Sequence, residues 1–296
     1  MVLSPENTEQ PKPKEIIFNS YGIYLVTDQD AYSLTNKKDP ALEDSRNVVL
    51  VSEPDWATTV GVLDSENFGK TTVLTPELIT VAGQQLTTLY EHRYDIEKAL
   101  GKVSEISQAQ PDTTFIIGSP DFVPGQKLPF NAAIVFKNGQ RVQVAHKKLL
   151  MGEEGLGFDI DPKEKPTVVG ETALLICRDL FGASETSTRG GDSIVSYVQR
   201  TTKDSSLAER FKGAQFIAPD TRRILVASCW GVGPPIFKES AQEDINADYL
   251  SRLKVMSRTI LEMDPNVGQI IVCDRAPLNR KIYDASEPMS AVFFKR

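Results

Sequence analysis

The chain is punctuated by short, wholly apolar runs that stop abruptly at polar residues. The sharpest is Ala173–Ile176, which follows Glu171-Thr172 and ends in Cys177-Arg178-Asp179, with Gly182 soon after. Four buried-type residues between polar ones predict a short strand inside a covered sheet. In an open α/β sheet, ligands gather outside the carboxyl ends of the strands, so a thiol ending such a strand is well placed for chemistry. Cys229 and Cys273 also end apolar runs, 224–228 and 269–272. Free cysteine often behaves as a small hydrophobe, and strand position alone does not choose among the three.

Further runs predict strands at 47–51, 71–74, 113–117, 193–198, 224–228, 269–272 and 290–294. Glu15–Phe18 and Gly22–Val26 are expected to pair as a hairpin, and Asn138-Gly139 marks a second hairpin between 131–136 and 141–145. The clearest helix is 84–108, where Leu86, Leu89, Tyr90, Leu100, Val103 and Ile106 recur at three- and four-residue steps. Shorter helices are expected within 54–69, over 207–216 and over 247–263. Strands alternating with helices, interrupted by hairpins, indicate an α/β protein with mixed sheets. Residues 1–46 form an N-terminal extension, partly disordered or a short hairpin, ahead of one domain over 47–296.

At 296 residues the chain is near the upper size for a single hydrophobic core. A net charge of −7 argues against a general nucleic-acid or membrane-surface role. No apolar run approaches the ~18 residues of a membrane span. Three widely spaced cysteines do not make a disulfide framework, so a reducing, cytoplasmic setting fits. The two histidines are not in metal-ligand spacing, and no metal or cofactor is expected. Gly69-Lys70-Thr71 lacks the glycine five positions earlier that a phosphate loop needs, since Asp64 stands there, and it precedes a strand.

Three polar side chains stand where strong apolar strands end: Glu77, Lys148 and Cys177. A thiol is mostly protonated at neutral pH. A neighbouring carboxylate can take its proton as general base. A fixed ammonium can stabilise the oxyanion of a tetrahedral intermediate. Taken singly, each has a structural alternative. Glu77 fits an exposed loop, Lys147-Lys148 a solvated basic pair, Glu153-Glu154 a solvated acidic pair, and Asp179 the cap of a turn or helix start.

Together the motifs resemble the nitrilase superfamily of carbon–nitrogen hydrolases. An apolar strand closes in Pro-Glu (Val73-Leu74-Thr75-Pro76-Glu77). A hairpin is followed by His146-Lys147-Lys148-Leu149, and a strand ends in Cys-x-Asp (Ile176-Cys177-Arg178-Asp179). The resemblance covers about Asn47 to the C-terminus. It implies an α-β-β-α four-layer sandwich with two mixed sheets, and a small amide, carbamoyl or nitrile substrate hydrolysed through a cysteine thioester. By the resemblance, Glu77 is general base and acid, Lys148 the oxyanion stabiliser, Cys177 the nucleophile, Glu154 an orienting carboxylate, and the Arg178 N–H a second oxyanion donor. It also implies a homodimer or larger homo-oligomer. The family commonly has an aromatic where Arg178 stands. If Arg178 lines the pocket, it suits an anionic or carbonyl-rich substrate; otherwise it is a surface ion pair. The rival reading is a binding or scaffold protein on a degenerate hydrolase fold.

Overall fold

The computed structural model describes residues 13–18, 20–82, 84, 88–150, 154–189, 191–228, 252–274 and 291–296. Two sheets stack face to face. The first runs in the order β1 (Lys14–Phe18), β13 (Ala291–Lys295), β12 (Gln269–Cys273), β11 (Arg223–Ala227), β10 (Thr172–Ile176), β9 (Val168–Val169). The second runs β3 (Ala31–Ser33), β2 (Gly22–Val26), β4 (Val48–Ser52), β5 (Thr72–Leu74), β6 (Thr114–Asp121), β7 (Phe130–Lys137), β8 (Gln140–His146). Each has a parallel centre, β10-β11-β12 and β4-β5-β6, flanked by antiparallel strands. Both sheets are therefore mixed, as the sequence predicts. Every residue of β4 and β12 is buried, the signature of strands covered on both faces.

Alternation along the strands assigns each side chain to a layer. Between the sheets lie Leu50, Leu74, Ile116, Ala133 and Ala145 from one, and Leu174, Ile176, Leu225, Ile271 and Phe293 from the other. Their sequence neighbours Val49, Val73, Phe115 and Ile117 face outward under α1 (Trp56–Ser65) and α2 (Arg93–Ala109). On the other side, Leu175, Val226, Ile270 and Val272 pack under α4 (Asp179–Arg189), α5 (Gly191–Thr202), α6 (Ser205–Arg210) and the helical segment 252–263. The result is the four-layer α-β-β-α sandwich. A helical turn, α3 (Glu154–Gly157), lies between β8 and β9.

Several expectations are corrected. β1 and β2 form no hairpin: β1 pairs with β13 in one sheet, and β2 pairs with β3 and β4 in the other. β1 is thus built into the first sheet, and β2 and β3 into the second. Residues 193–198 are not a strand but the middle of α5. Ile194, Tyr197 and Val198 are the buried positions, a helical i, i+3, i+4 spacing that overrides the β-branched composition. α2 begins at Arg93 rather than at 84. α6 ends at Arg210, shortly before Gly213 turns the chain at φ +77°. The expectation for 247–263 holds over 252–263; 247–251 and Cys229 lie outside the described residues.

Phe293 is fully buried between the sheets. We expect Phe293→Ala to cost about 3–5 kcal/mol of stability. In urea unfolding, the midpoint should fall with the slope unchanged.

Candidate active site

The strand β5 is only three residues long because Thr75-Pro76 ends it, and proline has no N–H to continue a ladder. Thr75 N–H still bonds Ile116 O at 3.0 Å, and Gly118 N–H bonds Thr75 Oγ1 at 3.2 Å. The chain then turns through Leu78 in the left-handed region at φ 52°. Gly118 on β6 makes room for this turn. A Cβ there would lie 2.1 Å from Pro76 O and 2.7 Å from Glu77 Cα. The turn delivers the Glu77 carboxyl, fully buried, to the space between the sheets.

There Glu77 Oε1 accepts two hydrogen bonds, from Lys147 Nζ at 2.7 Å and Asn131 Nδ2 at 2.6 Å. Lys147 is only 1% exposed, so this is a buried ion pair. Lys147 continues β8 by one residue, its N–H bonding Asn131 O at 2.8 Å. Residues opposite one another in an antiparallel pair share a face, so Lys147 and Asn131 both point at Glu77. Neither Lys147 nor Asn131 was expected in this role.

Lys148, the expected partner, turns the other way. Its Nζ bonds Glu164 O at 2.5 Å and Gln215 O at 2.6 Å, and it sits over the Phe216 ring. Burial lowers its pKa. A cleft of about 10 Å³, room for one water, lies beside it, lined among others by His146, Glu164, Asp179 and Phe216. The ammonium bonded to Glu77 is thus that of Lys147, while Lys148, the lysine the resemblance points to, is held by two loop carbonyls. The cause is a β-bulge. After the turn at Asn138-Gly139, Phe136 pairs with Arg141, but Val135 pairs with Gln143, leaving Val142 extra. One added residue exchanges the faces of everything beyond it, so 147 rather than 148 meets the acid.

Cys177 follows β10 directly. Its N–H bonds Ala227 O at 2.8 Å, and its backbone is left-handed at φ 46°. That conformation costs a non-glycine residue on the order of 1 kcal/mol or more. It makes the sharp turn from strand into α4. Cys177 is 7% exposed and belongs to the inter-sheet layer, with Leu74 and Ala145. Glu77 N–H bonds Ser228 O at 3.2 Å. Consecutive carbonyls at the end of β11, Ala227 and Ser228, thus hold the Cys177 and Glu77 backbones side by side.

Asp179 is the first residue of α4, and its carboxyl reaches out of the helix to the segment that follows β8. It accepts the N–H of Lys148 at 3.0 Å and of Leu149 at 2.8 Å. Burial pushes its pKa up to about 7, against the pull of those N–H groups and of Lys147 and Lys148. Arg178 donates to Leu150 O at 3.3 Å and to the Tyr197 hydroxyl at 2.5 Å, stacking over the Tyr197 ring. Glu154 begins α3, and its side chain lies outside what the structure describes. His146 stacks on Phe130 and bonds Asp121 at 2.8 Å and Glu164 at 3.1 Å. Burial alone would lower the pKa of His146, but the two carboxylates outweigh it and hold it at about 9. Among the described residues, no cluster of His, Cys, Asp or Glu is arranged to hold a metal, and no helix is long and apolar enough to cross a membrane.

No protein-family model matches the chain, and no curated protein matches it. It is similar to solved structures. One is a cysteine-to-alanine mutant of a Nesterenkonia amidase from the nitrilase superfamily, at 14% identity over 77% of this chain and 75% of that one, TM-score 0.47. Another is a mutant of the Nesterenkonia sp. amidase with the acetamide moiety of fluoroacetamide on its active-site cysteine, at 13% identity over 84% and 88%, TM-score 0.49. A third is the glutamine-dependent NAD+ synthetase of Acinetobacter baumannii, at 16% identity over 74% of this chain and 35% of that one, TM-score 0.44.

Two measurements probe this geometry. Gly118→Ala should lose roughly 1–3 kcal/mol by overpacking the Glu77 turn. By contrast, Gly61→Ala, in α1 with nothing within 4 Å of its Cβ position, should gain up to about 1 kcal/mol. Equal effects in denaturant titrations would contradict the close approach. The second concerns pH. The His146 pKa is raised from 6.5 to about 9, so its stabilisation is complete below pH 6.5 and is lost as pH rises through 9. That amounts to roughly 3 kcal/mol. The Asp179 penalty is already complete above about pH 7, so a fall in thermal midpoint between pH 7 and 9.5 isolates His146, and His146→Gln should flatten it.

Proposed function

We propose that this chain is a divergent nitrilase-superfamily hydrolase that cleaves a non-peptide C–N bond in a small amide, carbamoyl or nitrile substrate. Cys177 is the nucleophile, Glu77 the general base and acid, and Lys147, in place of Lys148, the fixed cation. The observation that carries this reading is the pair of hydrogen bonds from Lys147 and Asn131 onto Glu77 Oε1, in the layer where the Cys177 strand ends.

For an amide, the steps are as follows. Glu77 takes the thiol proton as the sulfur attacks the carbonyl carbon, and the carbonyl π electrons move to oxygen. The oxyanion is met by the Lys147 ammonium and the Arg178 N–H. The N-terminal end of α4 adds positive potential at the sulfur. As the C–N bond breaks, Glu77 returns its proton to the leaving nitrogen. Water then attacks the thioester with Glu77 again as base. The carboxylic acid leaves, and the thiol is restored. No step requires a cofactor. Asn131 orients the carboxylate by holding Oε1. Assembly into a homo-oligomer through the outer helices, in a cytoplasmic setting, belongs to the same reading.

The test is a panel of small amides, nitriles and N-carbamoyl compounds, with mass spectrometry of trapped adducts. We expect an acyl adduct on Cys177, none in Cys177→Ala, and a loss of about a hundred- to a thousand-fold in kcat for Lys147→Met. Iodoacetamide should label Cys177 far faster than Cys273, whose thiol pKa is pushed well up by burial. Slow, equal labelling with no adduct would favour the scaffold reading instead.

A further inference from the structure

We propose that Asp179 is a positioning residue for chemistry at Cys177, holding the Lys147 segment in register with the nucleophile through main-chain hydrogen bonds. The inference rests on the hydrolase reading and extends it to a residue that touches neither substrate nor the reacting atoms.

A carboxylate at a helix start ordinarily accepts from its own first turn. The Asp179 side chain bonds instead to the segment that follows β8. Oδ1 takes the N–H of Lys148 at 3.0 Å and of Leu149 at 2.8 Å, and Oδ2 lies 3.2 Å from Lys148 N. Those two N–H groups need it. The β7–β8 ladder makes its last bond at Lys147 N–H, while Lys148 and Leu149 are each 5% exposed. Left unpaired, both donors would be buried without partners. Asp179 lies two residues past Cys177, and the residue before Lys148 is Lys147. One carboxylate therefore links the two segments that must meet, at nearly the shortest chain distance from each.

The link is also rigid from the far side. Lys148 Nζ is held by two carbonyls from separate loops, Glu164 and Gln215. The segment therefore relates to the first sheet through Asp179 at its main chain and through those carbonyls at its side chain. A misplacement of about 1 Å in a catalytic group costs on the order of a hundred-fold in rate, so loosening Asp179 should act on kcat.

The test compares Asp179→Asn and Asp179→Glu with wild type in the full chain, on whichever panel substrate wild type turns over. The amide sets an NH2 against one main-chain donor; the glutamate keeps the charge but shifts it by a methylene. We expect kcat to fall about a hundred-fold in Asp179→Asn and about ten-fold in Asp179→Glu, with KM within about three-fold of wild type. Hydrogen exchange should quicken at the Lys148 and Leu149 amides while β10 and α4 stay protected. Folded Asp179→Asn with kcat within three-fold of wild type would overturn the proposal. So would protection lost evenly across the first sheet, the mark of a merely structural role. If Asp179→Asn does not fold, the rate and exchange pattern of Asp179→Glu decide by the same criteria. Wild type that yields no turnover and labels Cys177 with iodoacetamide no faster than Cys273 would instead fail the hydrolase reading, and this proposal with it.

Discussion

The buried Glu77–Lys147 ion pair is the constraint around which this sandwich is arranged. Both ions are essentially sealed from water. Desolvating them costs several kcal/mol per ion, and mutual attraction offsets this only when geometry is good and further hydrogen bonds help. Asn131 supplies one such bond, at 2.6 Å. The pair joins the end of β5 to the end of β8, spanning β6 and β7, so it can form only if the four strands keep their order and register. As a stabilising device it is poor value beside a packed apolar pair. What it fixes is position, an acid and a cation held at one point between the sheets.

The rest of that end of the molecule ties the two sheets together around the point. Glu77 N–H reaches Ser228 O, Ser52 Oγ donates to Asp274 O at 2.6 Å, and Asp179 reaches Lys148 and Leu149. All of these lie beyond the carboxyl ends of the parallel strands β4, β5, β10, β11 and β12. The amino ends carry a set of their own: Arg223, at the start of β11, donates to Asp28 Oδ1 at 2.9 Å and to Arg46 O, and Gln269, at the start of β12, reaches Asp28 O at 3.3 Å. The left-handed Cys177 and Leu78 stand at the carboxyl end. Backbone strain persists where surrounding bonds over-determine it, and here the Ala227 and Ser228 carbonyls do so.

Much of this was legible from residue order. Runs such as Val48–Val51 and Ala173–Ile176 announced covered strands because a strand buried on both faces has no room for polar alternation. Pro76 and Asn138-Gly139 marked real breaks because their backbone chemistry is local. What failed depended on partners distant in sequence. Residues 193–198 are rich in β-branched types, yet the outer face of the first sheet required a helix there. β1 and β2 look like a hairpin, but β1 finds its partner in β13, at the opposite end of the chain. The exchange of Lys148 for Lys147 has the smallest cause of all: one extra residue, Val142, in the hairpin. Counted without the bulge, Asn131 would face His146 and the lysine faces would be reversed. Asn131 stands near the start of the predicted strand 131–136, and nothing local says it aims at Glu77.

The two neighbouring lysines show why such a difference matters. Lys147 faces a carboxylate, whereas the charge of Lys148 is met at close range by two neutral carbonyls. Burial lowers the pKa of Lys148, against the pull of Asp179, Glu164 and Asp161. The side chain at 147 is paired with an acid between the sheets; at 148 the same side chain staples two loops. Arg178 follows the same logic. Its guanidinium is bound to Leu150 O and the Tyr197 hydroxyl, so the residue after Cys177 becomes another tie on the segment carrying Lys147. From His146 to Leu150, each residue is anchored to a neighbouring element by backbone or side chain. A segment held this firmly fixes the Lys147 ammonium against Glu77.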